Sequence, residues 1–296
     1  MSRENRVLDP IMETEFKSGT LRPLLEVVQR DRDLVLEFRD PWVADIYCKG
    51  QCLEIEKCGG GYKISAHKKF LNEGSLMLRS ADETDLFVKE MLPFVKQRMA
   101  EVRSGGMEIE FQQALIRANN LEAKLNTDYF AVDSQVFLGP GQDHIDVLGI
   151  HWPNHGSDED VSLALIEVKF GLHGGIEKLA EQVEGYYDAL RDNISNIASH
   201  TQKMLRQKLR MDLITGGSAE ALKKLERLKV SDDAKRVKII VAMVDYDLRS
   251  TLLQAQIPKL RQLEFTKQLK NPIEVIHLGY GLWAGNAVTD DLSLVS

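Results

Sequence analysis

The chain has 296 residues, 43% apolar and 28% charged, with room for one large or two modest domains built on real cores. No apolar run reaches the roughly 18–20 residues of a membrane span, and the opening "MSRENRVLDP" lacks the layout of a secretion signal, so a cytoplasmic protein without membrane contact is expected. A net charge of −7 argues against a general electrostatic grip on nucleic acid.

In chain order, residues 1–30 read as irregular with a short helix near "RPLLEVVQ". Short alternating runs follow, "DLVLEFR", "WVADIYCKG", "QCLEIEKC" and "GYKISAH", punctuated by "KGQ" and "GGG". They predict a small antiparallel sheet. Cys48, Cys52 and Cys58 crowd this region with His67, but their spacing matches no C-x-x-C zinc pair, and they read as reduced thiols. "ETDLFVKEMLPFVKQRMAEV" predicts an amphipathic helix with Leu86, Val88, Met91, Leu92, Val95 and Met99 as its apolar stripe. "RSGG" at 103–106 makes a natural joint, dividing a small N-terminal α+β domain (1–104) from a second domain (105–296).

The second domain opens on a predicted helix, "MEIEFQQALIRANNLEAKL", with Phe111, Ala114, Leu115, Ala118, Leu121 and Leu125 on one stripe. "YFAVDSQVFL", a turn at "GPGQ" and "DHIDVLGIHW" predict a β-hairpin. After the polar loop "PNHGSDEDVS" comes the strand "LALIEVKFG", then the helix "IEKLAEQVEGYYDALRDNI". A basic helical region follows, in which Lys203 to Lys238 holds eleven Lys/Arg against five Asp/Glu. Such a run reads first as a solvated face and second as a phosphate-contacting surface. The strand "VKIIVAMVDYD", a helix at "LRSTLLQAQIPKLRQLEF" and a last strand "PIEVIHLGYGLW" complete the order. It implies an α/β fold with a mixed central β-sheet flanked by helices.

One strand carries the chemistry. In "LALIEVKFG", Glu167 and Lys169 share a face of an otherwise apolar strand. Burying a carboxylate and an ammonium costs several kcal/mol each unless partners offset it, on the order of the penalty for a buried ion. One strand earlier, Asp146 sits among Ile145, Val147, Leu148 and Ile150. If the two strands pair, Asp146 and Glu167 converge at one end of the sheet and suit a hard divalent cation such as Mg²⁺. Lys169 then stands ready to orient or deprotonate an attacking water, or to stabilise charge on phosphorus. Gln182 and Tyr186, four apart on the next helix, share a face turned toward the same sheet end. His144 points to the opposite strand face and reads as a packing residue, while His151, His155 and His173 lie in or near the surrounding loops. Gly171, Gly174 and Gly175 precede a helix N-terminus, where a phosphate could dock or a plain turn would suffice.

This set resembles the PD-(D/E)XK nuclease superfamily over about residues 105–190. Asp146 in "HIDVLG", Glu167-Val168-Lys169 in "IEVKFG" and the Gln-x-x-x-Tyr pair Gln182 and Tyr186 carry the match. "EIEFQQAL" is similar to the E-x-x-ϕ-Q-x-x-L opening of several such domains, which makes Glu108 the helix-borne acid, with Glu110 a close competitor. No proline precedes Asp146, a departure from the name-giving motif. The resemblance implies a restriction-endonuclease-like core and a Mg²⁺-dependent DNA endonuclease, with Mn²⁺ as substitute, of the kind found in DNA repair and phage defence. It implies that Asp146, Glu167 and the Val168 carbonyl hold the metal and that Lys169 assists water. It also leaves open a homodimer or larger homo-oligomer, common among enzymes that cut both strands. The acidic balance and the extra N-terminal domain motivate the alternative, a catalytically silent nucleic-acid-binding or assembly module.

Overall fold

The computed structural model describes residues 6–102, 107–122, 127–137, 144–153, 155, 160–171, 175–246 and 250–278. The "RSGG" joint, the "GPGQ" turn, His173, Gly174 and residues 279–296 lie outside the described residues. The fold is α/β, with two five-stranded sheets among the described residues. The chain parts into two compact units, one of residues 1–133 and 200–227, the other of residues 134–199 and 228–296.

The first unit starts with helices α1 (Pro10–Ser18) and α2 (Arg22–Arg30). Asp9 caps α1 by accepting the Ile11 N–H at 2.8 Å, and Pro10 supplies a pre-set first turn. Strands β1 (Leu34–Asp40), β2 (Val43–Cys48), β3 (Gln51–Cys58), β4 (Gly61–Ser65) and β5 (Ser75–Leu78) then form an antiparallel meander in chain order. Lys49 and Gly50 turn β2 into β3 with positive φ angles of 49° and 77°, the backbone that a two-residue hairpin requires. The core between sheet and helices holds Met12, Phe16, Leu24, Phe38, Ile46 and Ile55.

Helices α3 (Ala81–Leu86) and α4 (Leu92–Glu101) are joined by a π turn over Phe87–Met91. The inserted residue shifts the phase of the expected stripe. Leu92, Val95 and Met99 are buried as the stripe requires, whereas Leu86 and Met91 are exposed.

Helix α5 (Met107–Leu121) belongs to this unit, and so does the second half of α7 (Ile194–Arg210) together with α8 (Ala219–Arg227). The expected apolar stripe of α5 is not the face it buries. Gln112, Gln113, Ile116 and Asn120 are buried instead, and Ala114 is exposed. Backbone groups take up the amides: Gln113 Oε1 accepts the Gly50 N–H at 3.2 Å, and Asn120 both donates to the Ala131 carbonyl and accepts its N–H, each at 2.8 Å. From α7, Lys208 Nζ reaches both oxygens of Glu37 on β1 at 3.0 Å, and the Gln207 amide spans Leu8 and Glu13. These ties place 107–133 and 200–227 with the N-terminal residues, where the sequence reading set its boundary near residue 105.

The second unit is built on a mixed sheet in the order β10-β9-β8-β7-β6. Its strands are β6 (Tyr129–Phe137, within it from Ser134), β7 (His144–His151), β8 (Ser162–Phe170), β9 (Lys238–Val244) and β10 (Glu274–Leu278). β7 runs antiparallel to β8, which is parallel to β9, which is parallel to β10. β8 and β9 are near-continuous apolar runs because they are buried on both faces. Helices α6 (Leu179–Asp192) and α9 (Thr251–Gln262) connect the strands, and Tyr187 of α6 stacks on Phe265 with centroids 4.2 Å apart. No helix of the described residues is long and apolar enough to cross a membrane.

Candidate active site

The β7–β8 ladder runs from His151↔Ser162 to Val147↔Ile166, and one further step sets Asp146 across from Glu167. Directly opposed residues of an antiparallel pair share a face. At this end a side chain enters the ladder. Asp146 Oδ2 accepts the Val168 N–H at 2.7 Å, and Gln135 Nε2 on β6 donates to Oδ1 at 3.3 Å. Lys169 Nζ lies 2.6 Å from Glu167 Oε1. On the other side of β8 the register partners of Glu167 and Lys169 are Val241 and Met243, both apolar. Asp146, Glu167 and Lys169 are only 6%, 4% and 6% exposed, so two carboxylates and an ammonium are held with little water to solvate them.

The turn into α6 comes up to the lysine. Gly175 precedes a 3₁₀ turn (Ile176–Lys178) with φ +87°, in the left-handed region open to glycine. A Cβ at that position would lie 3.7 Å from Lys169 Nζ and 3.9 Å from Gln182 Oε1, which places the turn, the amine and the amide around one small space. Tyr186 is used differently. Its buried hydroxyl donates to the His144 carbonyl at 3.0 Å and so ties α6 to the start of β7, two residues before Asp146.

Asp146, Glu167, Val168, Lys169, Gln182 and Tyr186 therefore all belong to the second unit. Glu108 and Glu110 occupy the first turn of α5 in the first unit, where Glu110 lies 3.5 Å from Lys49. His144 is exposed with its ring 5.6 Å from Phe137, and His155 stacks on Trp152 at 5.0 Å. Gln135 was not singled out by sequence reasoning. The signal was present: Asp133, Ser134 and Gln135 interrupt an apolar strand with three consecutive polar side chains.

Among the described residues, no group of three or more His, Cys, Asp or Glu side chains gathers as a metal site. Asp146 and Glu167 are the two carboxylates that β7 and β8 bring to this end. The three cysteines are free thiols, Cys48 buried and Cys52 and Cys58 exposed. Four of the eleven cations of the basic region are paired within the protein among the described residues: Lys208 with Glu37, Arg210 with Glu13, Lys238 with Glu274 and Lys229 with Asp232. Comparison with protein-family models, curated proteins and solved structures found no match.

Proposed function

We propose that this protein is a Mg²⁺-dependent DNA endonuclease with a restriction-endonuclease-like core in its second unit, acting in phage defence or DNA repair. One observation carries the reading. Three ionisable side chains, Asp146, Glu167 and Lys169, are buried at neighbouring positions of two paired strands where apolar residues would be cheaper to hold. A fold that keeps such a cluster spends stability on something other than packing.

The donor set fits a hard divalent cation, because its carboxylates offer oxygen alone. Asp146, Glu167 and the Val168 carbonyl would hold Mg²⁺ or Mn²⁺, which when bound offsets the two negative charges and acts as a Lewis acid toward a phosphoryl oxygen. Lys169 Nζ lies beside Glu167, where it would orient the attacking water or stabilise charge on the phosphate. Gln182 borders the same space beside Gly175 and would offer an amide to water or phosphate oxygens. Tyr186 acts at one remove by fixing the backbone that presents Asp146. Glu108 enters this reading only through the family resemblance of its helix.

A second reading rests on the Glu167–Lys169 contact and the Val168–Asp146 hydrogen bond, through which the charges already satisfy one another. On that reading the second unit is a silent nucleic-acid-binding or assembly module. Calorimetric titration of the full chain with Mg²⁺ and Mn²⁺ separates the two. Cation binding that disappears in Asp146→Asn supports the enzyme. DNA binding indifferent to cation and to that substitution supports the module.

A further inference from the structure

In the first unit, β5 closes one side of the meander and pairs with β4 alone among the described residues. Its sequence, Ser75-Leu76-Met77-Leu78, has no proline and no charge, and its register with β4 has no bulge. Those are three of the devices that blunt an exposed edge, and the strand's length of four residues is the one it keeps. Beside this edge runs a groove of about 470 Å³, lined by Leu71, Leu76, Met91, Phe94 and Val95 among others. Its far wall is the π turn and the first turns of α4. The phase shift at that turn leaves Leu86 62%, Met91 41% and Phe94 65% exposed within nine residues. Large apolar side chains concentrated like this mark an interaction surface more often than a solvated face.

The rim carries a sign. Glu73 and Glu90 both line the groove, both are exposed, and neither is in an ion pair among the described residues. Arg98, the one cation in the lining, is turned to the Phe70 carbonyl at 3.3 Å and to Asn72 Oδ1 at 2.7 Å. Glu73 also lines a neighbouring hollow together with Lys63 and Lys68, so Glu90, on the far wall, is the acid that faces this groove without them.

We propose that this face docks an extended, apolar and basic peptide segment of a partner protein. Its backbone adds to β5 as a further strand, its apolar side chains seat against Met91 and Phe94, and its basic side chains meet Glu73 and Glu90. An uncovered strand edge supplies the main-chain hydrogen bonds, the groove selects apolar side chains, and the rim selects charge.

The test uses the full chain and fluorescein-labelled synthetic peptides followed by anisotropy. One peptide alternates valine with lysine, a second alternates valine with glutamate, and a third is the first with N-methylated backbone amides. The lysine peptide is expected to bind at least about tenfold more tightly than either of the others. Phe94→Asp, at an exposed position whose substitution leaves the core intact, should abolish the difference. Glu90→Lys should weaken the lysine peptide and strengthen the glutamate peptide. Equal binding of all three peptides, or no effect of Phe94→Asp and Glu90→Lys, overturns the proposal. So does sedimentation showing a dimer that Phe94→Asp dissociates while no peptide binds, since the face then belongs to a second copy of the chain.

Discussion

Asp146 and Val168 meet diagonally at the end of the β7–β8 ladder, and the aspartate side chain, not a backbone carbonyl, takes up the Val168 N–H at 2.7 Å. This hydrogen bond anchors the carboxylate through Oδ2 and pins β8 where Glu167 and Lys169 flank Val168. Asp146→Asn keeps a side-chain oxygen that can accept the same N–H, whereas Asp146→Ala leaves a buried donor unsatisfied. The alanine variant should lose about 1–3 kcal/mol in urea denaturation and the asparagine variant clearly less. Equal losses would show that the hydrogen bond contributes nothing to the fold. DNA cleavage should vanish in both, because neither keeps the carboxylate charge.

Glu167 and Lys169 are mutual counter-ions in a desolvated place. Removing one takes a counter-ion at 2.6 Å from the other, so Lys169→Met alone should destabilise by up to about 3–5 kcal/mol, and Glu167→Gln alone by a similar amount. The double variant should recover part of that loss, since no unpaired charge is then left buried. A double-mutant cycle by urea denaturation measures the coupling. Additive losses would mean that the 2.6 Å contact carries no coupling.

Gly175 combines a left-handed backbone with close approach to Lys169 and Gln182. Gly175→Ala introduces a Cβ at ordinary van der Waals distance, so strain in φ and not a clash dominates, at about 1–2 kcal/mol. Gly175→Asn tolerates that backbone better but fills the space beside the amine. Melting should therefore rank asparagine above alanine, while cleavage should rank alanine above asparagine. The same order in both measurements would assign Gly175 to the turn alone.

The first unit supplies a pH-dependent contact. Arg210 donates to both Glu13 oxygens, at 2.8 and 2.9 Å, and these hydrogen bonds hold the Glu13 carboxyl below its usual range against the opposing effect of burial. A depressed carboxyl pKa means that the folded state favours the ionised form. The contact therefore contributes stability above the ordinary glutamate pKa and loses it as pH falls through the depressed value. Between about pH 5 and pH 3 the urea midpoint should fall more steeply in wild type than in Glu13→Gln. Parallel slopes would remove Glu13 from the acid response.

Much of this architecture is legible in the residues. Alternation in "DLVLEFR" through "GYKISAH" announces β1 to β4 in the right order, and the β-branched run around Ile240 announces a doubly buried strand. Local signals fail where tertiary partners decide. Four residues of β5 show no readable period. The π turn is invisible to a 3.6-residue count and misplaces Leu86 and Met91. Gln113 and Asn120 look like surface but are buried to satisfy backbone amides. The Lys208–Glu37 pair joins positions 171 apart, a separation that no local pattern reports, and it turns part of a basic run into internal structure. Gln135 and Asp9 carry readable local signals, one as part of a polar break in a strand, the other as an Asp-Pro helix start.

The most direct measurement is cleavage of linear, single-stranded and branched DNA by the full chain with Mg²⁺ or Mn²⁺, wild type beside Lys169→Ala. Cleavage of at least one substrate by wild type, reduced at least about a hundredfold in Lys169→Ala, is the expected result. Indistinguishable behaviour of the two proteins on every substrate contradicts a catalytic role for the Asp146, Glu167 and Lys169 cluster.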